Sequence, residues 1–369
     1  MAFFISTEKV PAMKIKLSKP FAANGKVDEF DVRQMKKALN RLGYYQPYEK
    51  VGIIGIPDAD VFVALKAFQK DRGLQPTSTA KPDDDTITAL NTATSKAPDG
   101  YYIWRTVEDD RVRASHAAHD WETRIWSDSP DPGEEFNCRC WAAPATQEQI
   151  EKKKKQKCFA GLPWEDKAKD NIESHEDDIP YPYIDTASKI TVGIGINIDE
   201  EKKFTNLPWK TGSESGPDAT KKEIEEGYNA LKAQKTQPGN LDKDGKFNVS
   251  ADIQKKKGWV NLYLPKTERD SLFEDRFTYF RDKLPGKFSD FDCFPPPAKV
   301  ALMDMIFNLG ETRFSRGNWP SFFKAVNQRD WRAAAEQSHR KIPNDKSSRN
   351  GDTFDQFIEA AEMEEETQR

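Results

Sequence analysis

Three residues able to do acid–base chemistry lie close together in the chain: Glu176, Asp185 nine positions later, and Thr191 six after that. Two carboxylates brought together by a tight turn, with a hydroxyl beside them, are the minimum equipment for cleaving a glycosidic bond. In that assignment Glu176 is the general acid. Asp185 stays ionised and orients a water or stabilises an oxocarbenium-like transition state, and Thr191 helps hold the water. The acid must carry its proton at neutral pH, which the adjacent Asp177 and Asp178 would favour by like-charge repulsion. Spacing alone is a weak signal in a chain with 61 acidic residues, where a solvated acidic loop reads equally well.

A second constellation precedes it. His116 and His119 are three apart and reach one centre from a helix. Cys138 and Cys140 are two apart and point the same way from an extended strand. One or two imidazoles with two thiolates satisfy a tetrahedral zinc site, with Asp109 completing the set or acting as base. A closed set is structural, whereas an open fourth position activates water for amide hydrolysis. A metal-free packing motif with free thiols is the third reading. Arg111, Arg113 and Arg139 read as partners of the local acids. The remaining cysteines are Cys158 and Cys293, and no disulfide framework is evident from the spacing.

Helices and turns must position these groups. Over 28–92, Val32, Met35, Leu39 and Leu42 fall on one helical face that stops at Gly43. Val61, Leu65 and Phe68 repeat the plan before Gly73, and a third short helix starts near Asp85. This makes a bundle too small for much chemistry. Residues 146–157 are a charged run, read as a solvated linker or helix. Next come a helix over 162–176 and a half-buried strand on which Ile190, Val192, Ile194 and Ile196 alternate. Gly-, Asp- and Lys-rich loops are expected over 205–258, followed by helices to the end.

The first unit resembles the peptidoglycan-binding domain of wall hydrolases. The resemblance rests on Asp31-Val32, Leu39, Leu42-Gly43-Tyr44, Ala64, Phe68-Gln69, Gly73-Leu74, Thr86 and Ala89-Leu90. The acidic turn of that family is replaced here by GIIGIPDAD. The stretch from Glu176 to Gly195 resembles the active-site signature of phage-type lysozymes. Glu176, Asp185 and Thr191 fall on the catalytic positions and Tyr183 on an aromatic one. VALMDMIFNLG, RDWRAAAEQ and SSRNGDTFDQF are similar to that family's later helices, and Arg349 matches the arginine supporting the acid. The resemblance implies hydrolysis of the β-1,4 bond between N-acetylmuramic acid and N-acetylglucosamine. It also implies inversion, with carboxyls about 6.5–9.5 Å apart. Asp177 and Ile196-Asn197 depart from the family pattern, and the second departure is similar to lysozyme-like toxin domains of bacteriocins and secreted effectors. The segment from Trp104 to Trp141 resembles a motif of phage head-morphogenesis (minor head) proteins, whose name reports context rather than chemistry.

A net charge of −4 provides no global field for nucleic acid. No apolar stretch approaches the ~20 residues of a membrane span. The first twenty residues lack the basic-then-apolar order of a secretory signal, so another route to the wall is expected. The expected fold is multidomain, mainly α with small β. It comprises an N-terminal extension (1–27), a three-helix peptidoglycan-binding bundle (28–95), a small α+β Cys/His domain (96–147), a charged linker (148–160) and an α+β lysozyme-like domain (161–369). The expected function is a cell-wall lytic enzyme, a muramidase with a possible second, zinc-dependent amidase. It would be an endolysin, or an antibacterial effector of a secretion system with an immunity protein as partner. A non-catalytic virion or wall-binding protein with a structural zinc clip is the alternative.

Overall fold

Three helices open the fold, each started by an aspartate. The computed structural model describes residues 14–95, 98, 100–128, 130–135, 138–341 and 348–366, so residues 1–13 of the expected extension lie outside the described residues. Helices α1 (Glu29–Arg41), α2 (Ala59–Asp71) and α3 (Asp85–Thr94) are capped by Asp28, Asp58 and Asp84. Their carboxylates accept otherwise unpartnered backbone N–H groups of the first turn. Val32, Met35, Leu39, Val61, Leu65 and Phe68 are fully buried where the helices meet. Ile15, Leu17 and Phe21 join the same core, so residues 15–21 are part of the bundle rather than an extension.

The middle segment builds a three-stranded antiparallel sheet. Strand β1 (Tyr101–Arg105) lies between β2 (Thr123–Ile125) and β3 (Trp141–Pro144), and a single helical turn, α4 (Ala114–Ala117), carries His116. Val107 and Trp141 enter the bundle core. The Asn40 amide pairs with both backbone groups of Ala142, each at 2.9 Å. The bundle and this segment therefore share one apolar core.

The charged run begins as a helix, α5 (Gln147–Lys155), held by a capping box of Thr146 and Gln149. Beyond it Cys158 forms a disulfide with Cys293, a pairing 135 positions apart that local spacing does not signal. Closing so long a loop restricts the unfolded chain by about 3–5 kcal/mol on the chain-entropy argument. Dithiothreitol, or Cys158→Ser, is accordingly expected to lower the melting temperature in calorimetry, and an unchanged transition would show that the closure adds nothing.

The C-terminal region has two cores. Helix α6 (Glu165–His175) leads into a sheet of β4 (Ile179–Ile184), β5 (Ile190–Gly193) and β6 (Ile196–Asn197). The expected single alternating strand is two strands. Gly193 and Gly195, at φ 59° and 71°, reverse the chain between them. Ile194, at the turn, packs into the helical core, while Ile190, Val192 and Ile196 pack into the β lobe.

That lobe continues through α7 (Glu201–Thr205), β7 (Lys210–Thr211), α8 (Lys221–Gln234), α9 (Ala251–Lys256) and β8 (Leu262–Tyr263). The loops expected over 205–258 thus contain two helices. In α8, Tyr228 and Leu231 are buried and Ile224 packs against them, a stripe hidden among lysines and glutamates. The helical core follows in α10 (Lys266–Lys283), α11 (Pro296–Arg313), α12 (Pro320–Asn327), α13 (Trp331–Gln337) and α14 (Arg349–Glu366). Residues 300–307 of α11 are at most 2% exposed, as a helix apolar on every face must be.

Candidate functional site

Glu176 is the residue on which α6 ends, its backbone already extended at φ −122° and ψ 137°. Its Oε1 accepts a hydrogen bond from Arg349 Nη1 at 2.5 Å. Arg349 opens α14 and donates through Nε and Nη2 to Asp304 Oδ1 at 2.9 and 2.8 Å. The other Asp304 oxygen accepts from Arg340 Nη1 at 2.7 Å. Asp304, Arg340 and Arg349 are 0%, 1% and 4% exposed. Burial alone would raise the Asp304 carboxyl, but the two guanidiniums outweigh it and hold it below the usual carboxylate range. A fixed buried ion network thus aims Arg349, and Arg349 aims Glu176.

Asp185 follows β4 and organises the hairpin turn. Its Oδ1 accepts from the backbone N–H groups of Ala187 and Lys189 at 2.9 and 2.8 Å. Its Oδ2 lies 3.3 Å from Thr191 Oγ1, whose one hydroxyl hydrogen is shared with the Lys189 carbonyl at 3.1 Å. Thr191 is 1% exposed on the central strand and pairs with Tyr183 on β4. The Tyr183 phenol is pushed up first by burial, then by the negative charges of Asp185 and Glu176. Both carboxylates therefore act on one ring. Gln254 of α9 secures the edge of the turn, its amide pairing with both backbone groups of Ile184 at 2.8 Å.

Of the two acids that follow Glu176, Asp178 does not stand as a free charge. Asp178 is bound by Arg269 through two bonds of 2.7 and 2.9 Å, which removes much of the like-charge repulsion expected of it. His175 turns away toward α14, where its Nε2 lies 3.0 Å from Asp352 Oδ2.

The second constellation assembles only in part. His116 Nδ1 is 3.3 Å from Cys138 Sγ and 3.6 Å from Cys140 Sγ, and all three residues are buried. Their ligand atoms lie within 4.8 Å of one another and could hold a metal ion. Hydrogen bonding from Cys140, ahead of that from His116, holds the Cys138 thiol below the usual thiol range. His119 and Asp109 are not in the set. His119 Nδ1 is 2.7 Å from Glu122 Oε2, and Asp109 receives Arg139 Nη2 at 2.6 and 2.8 Å. Residues three apart share a face only where the helix continues regularly. Here α4 ends at Ala117, and His119 falls in the following turn. Arg111 and Arg113 pair with Asp109 and Glu135, as expected of them.

Sequence reasoning missed four contributors. Glu135 Oε2 is 3.2 Å from His116 Nε2, the position of a carboxylate that orients a metal-ligating imidazole; its signal was the PGEE run beside the cysteines. Asp304 and Arg340 were legible only as a lone acid in an apolar helix, which demands buried partners. Arg276, which lies within electrostatic reach of Glu176 and Tyr183, gave no signal.

The middle segment is also clamped to the C-terminal region. Asn327 donates to the carbonyls of Ala118 and Asp120 at 3.1 and 2.7 Å, and Arg316 binds Asp120 and the Ala117 carbonyl. Ser289 donates to Glu122 at 2.8 Å.

Among known families, a model described as "Putative peptidoglycan binding domain" matches residues 29–90, the span of the three-helix bundle. No curated protein matches the chain. The bundle's likeness ties the chain to the bacterial cell wall. No helix among the described residues is long and apolar enough to cross a membrane.

Proposed function

We propose that this chain is a peptidoglycan hydrolase, a muramidase that cleaves the β-1,4 bond between N-acetylmuramic acid and N-acetylglucosamine. The observation that carries the reading is the pairing of an oriented Glu176, held by Arg349, with an Asp185–Thr191 hydroxyl pair on the neighbouring hairpin. The peptidoglycan-binding bundle supports the choice of polymer. In the mechanism Glu176 protonates the leaving glycosidic oxygen. Asp185 Oδ2 and Thr191 hold the attacking water, while Asp185 Oδ1 remains committed to the turn. Tyr183 lines the floor between the two carboxylates. Clearing of purified peptidoglycan by wild type and Glu176→Gln tests the assignment. Equal inactivity of both would leave a wall-binding protein without catalysis.

The His116–Cys138–Cys140 cluster is best read as a structural zinc clip. Two sulfurs and one imidazole are donors that fit zinc and would leave its fourth position to a water; the burial of all three residues favours the structural role over amide hydrolysis. Zinc would tie α4 to the segment that leads into β3. The residues after His116 carry the clamp to Arg316 and Asn327, so the joint also steadies that contact. The expected result is one zinc per chain by elemental analysis. Chelation, or Cys138→Ser, should lower the melting temperature and raise hydrogen exchange over 114–120 and 316–327, with muropeptide release surviving in the folded fraction. Free stem peptides that vanish with chelator would instead assign the cluster to an amidase.

The Cys158–Cys293 disulfide supports action in an oxidising compartment such as the periplasm. Delivery as a secreted effector would require an immunity protein in the producing cell, and delivery as an endolysin would require a holin. The neighbouring gene distinguishes them.

A further inference from the structure

The guanidinium of Arg276, on α10, touches both lobes of the C-terminal region. Its Nη1 donates to the carbonyl of Gly195, in the turn between β5 and β6, at 2.6 Å. Its Nη2 donates to the carbonyl of Phe307, on α11, at 3.3 Å. Among the described residues no carboxylate lies within ion-pair distance of it, and its plane lies over the rings of Phe307 and Phe280. Glu176 acts on it only through its charge.

These two carbonyls are unusual partners for a half-buried cation. Gly195 follows directly on the strand that carries Thr191, and its turn is built on two glycines at positive φ, a backbone with little stiffness of its own. Phe307 is three residues beyond Asp304, the anchor of Arg349 and through it of Glu176. It also precedes the break in α11 at Gly310, where φ is 75°. Carbonyls next to a helix break lose their regular partners and need outside donors.

We propose that Arg276 is a positioning residue for the hydrolysis inferred above, on which this inference rests. It closes a chain of contacts from one carboxylate to the other. Glu176 is held by Arg349, Arg349 by Asp304 on α11, and α11 by Arg276 at Phe307. The same guanidinium then holds the Gly195 turn, and with it the strand of Thr191 and its partner Asp185. Arg276 fixes how the acid on the helical lobe faces the water-holding pair on the β lobe. It acts through backbone carbonyls and does not touch the reacting atoms. A displacement of about 1 Å between reacting groups costs on the order of 10²-fold in rate.

The test compares wild type, Arg276→Lys and Arg276→Met on purified peptidoglycan and on a soluble glycan fragment. Hydrogen exchange over 185–197 and melting temperature are measured alongside. In Arg276→Met, kcat is expected to fall about 10²-fold with KM little changed at a temperature where the variant is folded. Exchange over 185–197 should rise, and Arg276→Lys, which keeps the charge and one donor at a time, should recover part of kcat. A loss of activity that tracks only the unfolded fraction would overturn the proposal. So would an effect confined to KM, or an unchanged hairpin. An inactive wild type would overturn the hydrolase reading itself, whereas an active wild type with unaltered Arg276→Met overturns this inference alone.

Discussion

Glu176→Gln is expected to slow the clearing of purified peptidoglycan by about 10²–10⁴-fold, the usual worth of a general acid. The amide has nearly the shape of the carboxyl, and its oxygen can still accept the bond that Arg349 Nη1 now gives to Glu176 Oε1. The α6 terminus and the buried ion network therefore stay in place, and the melting temperature should change little. What is lost is the proton delivered to the leaving oxygen. Turbidity measurements give the rate, and mass spectrometry of the released fragments identifies the bond. Muropeptides from wild type with almost none from the variant are the expected pair of results. A variant as fast as wild type would remove Glu176 from the reaction.

Asp304→Asn is expected to cost about 3–5 kcal/mol of stability at neutral pH, because it removes the buried carboxylate that Arg340 and Arg349 share. Both arginines are almost fully enclosed, and Asp304 is 0% exposed, so water cannot replace the carboxylate. The substitution should also reduce hydrolysis in the fraction that remains folded, since Arg349 would lose its anchor and Glu176 its fixed orientation.

The effect has a defined pH dependence. The folded-state pKa of Asp304 is depressed, so its contribution is present above the unfolded value of about 3.9 and is lost as pH falls through the folded value. Glu122 adds to the same acid limb. Burial would raise it, but its hydrogen bond with His119 and the charges of Arg124 and Lys153 bring it down to about 2. Urea unfolding at pH 7 and near pH 3 is the measurement. The gap between wild type and Asp304→Asn should narrow in acid, and a gap independent of pH would show that the carboxylate's charge is not what stabilises the network.

Local patterns in the chain were enough for the units that depend on near neighbours. The bundle's helices, with their aspartate caps and buried Val32, Met35, Leu39, Val61, Leu65 and Phe68, follow from spacing of three and four residues. Glu176, Asp185 and Thr191 stand out only weakly by spacing, and with Tyr183 and Arg349 they are named through the resemblance to phage-type lysozymes. His116, Cys138 and Cys140 could be picked as donors from residue type.

Contacts between distant segments decided the rest. Arg349 reaches Glu176 across 173 positions, and Cys158 meets Cys293 across 135. The group of His116, Cys138 and Cys140 forms without His119, whose ring is taken by Glu122 and Arg124. Arg276 earns its place through backbone carbonyls of Gly195 and Phe307, acceptors that every residue carries and no sequence pattern marks. Residue type and short-range period determined which groups could do chemistry. Burial and long-range pairing determined which of them are held still enough to do it, because a charge removed from water keeps only the partners that tertiary packing supplies.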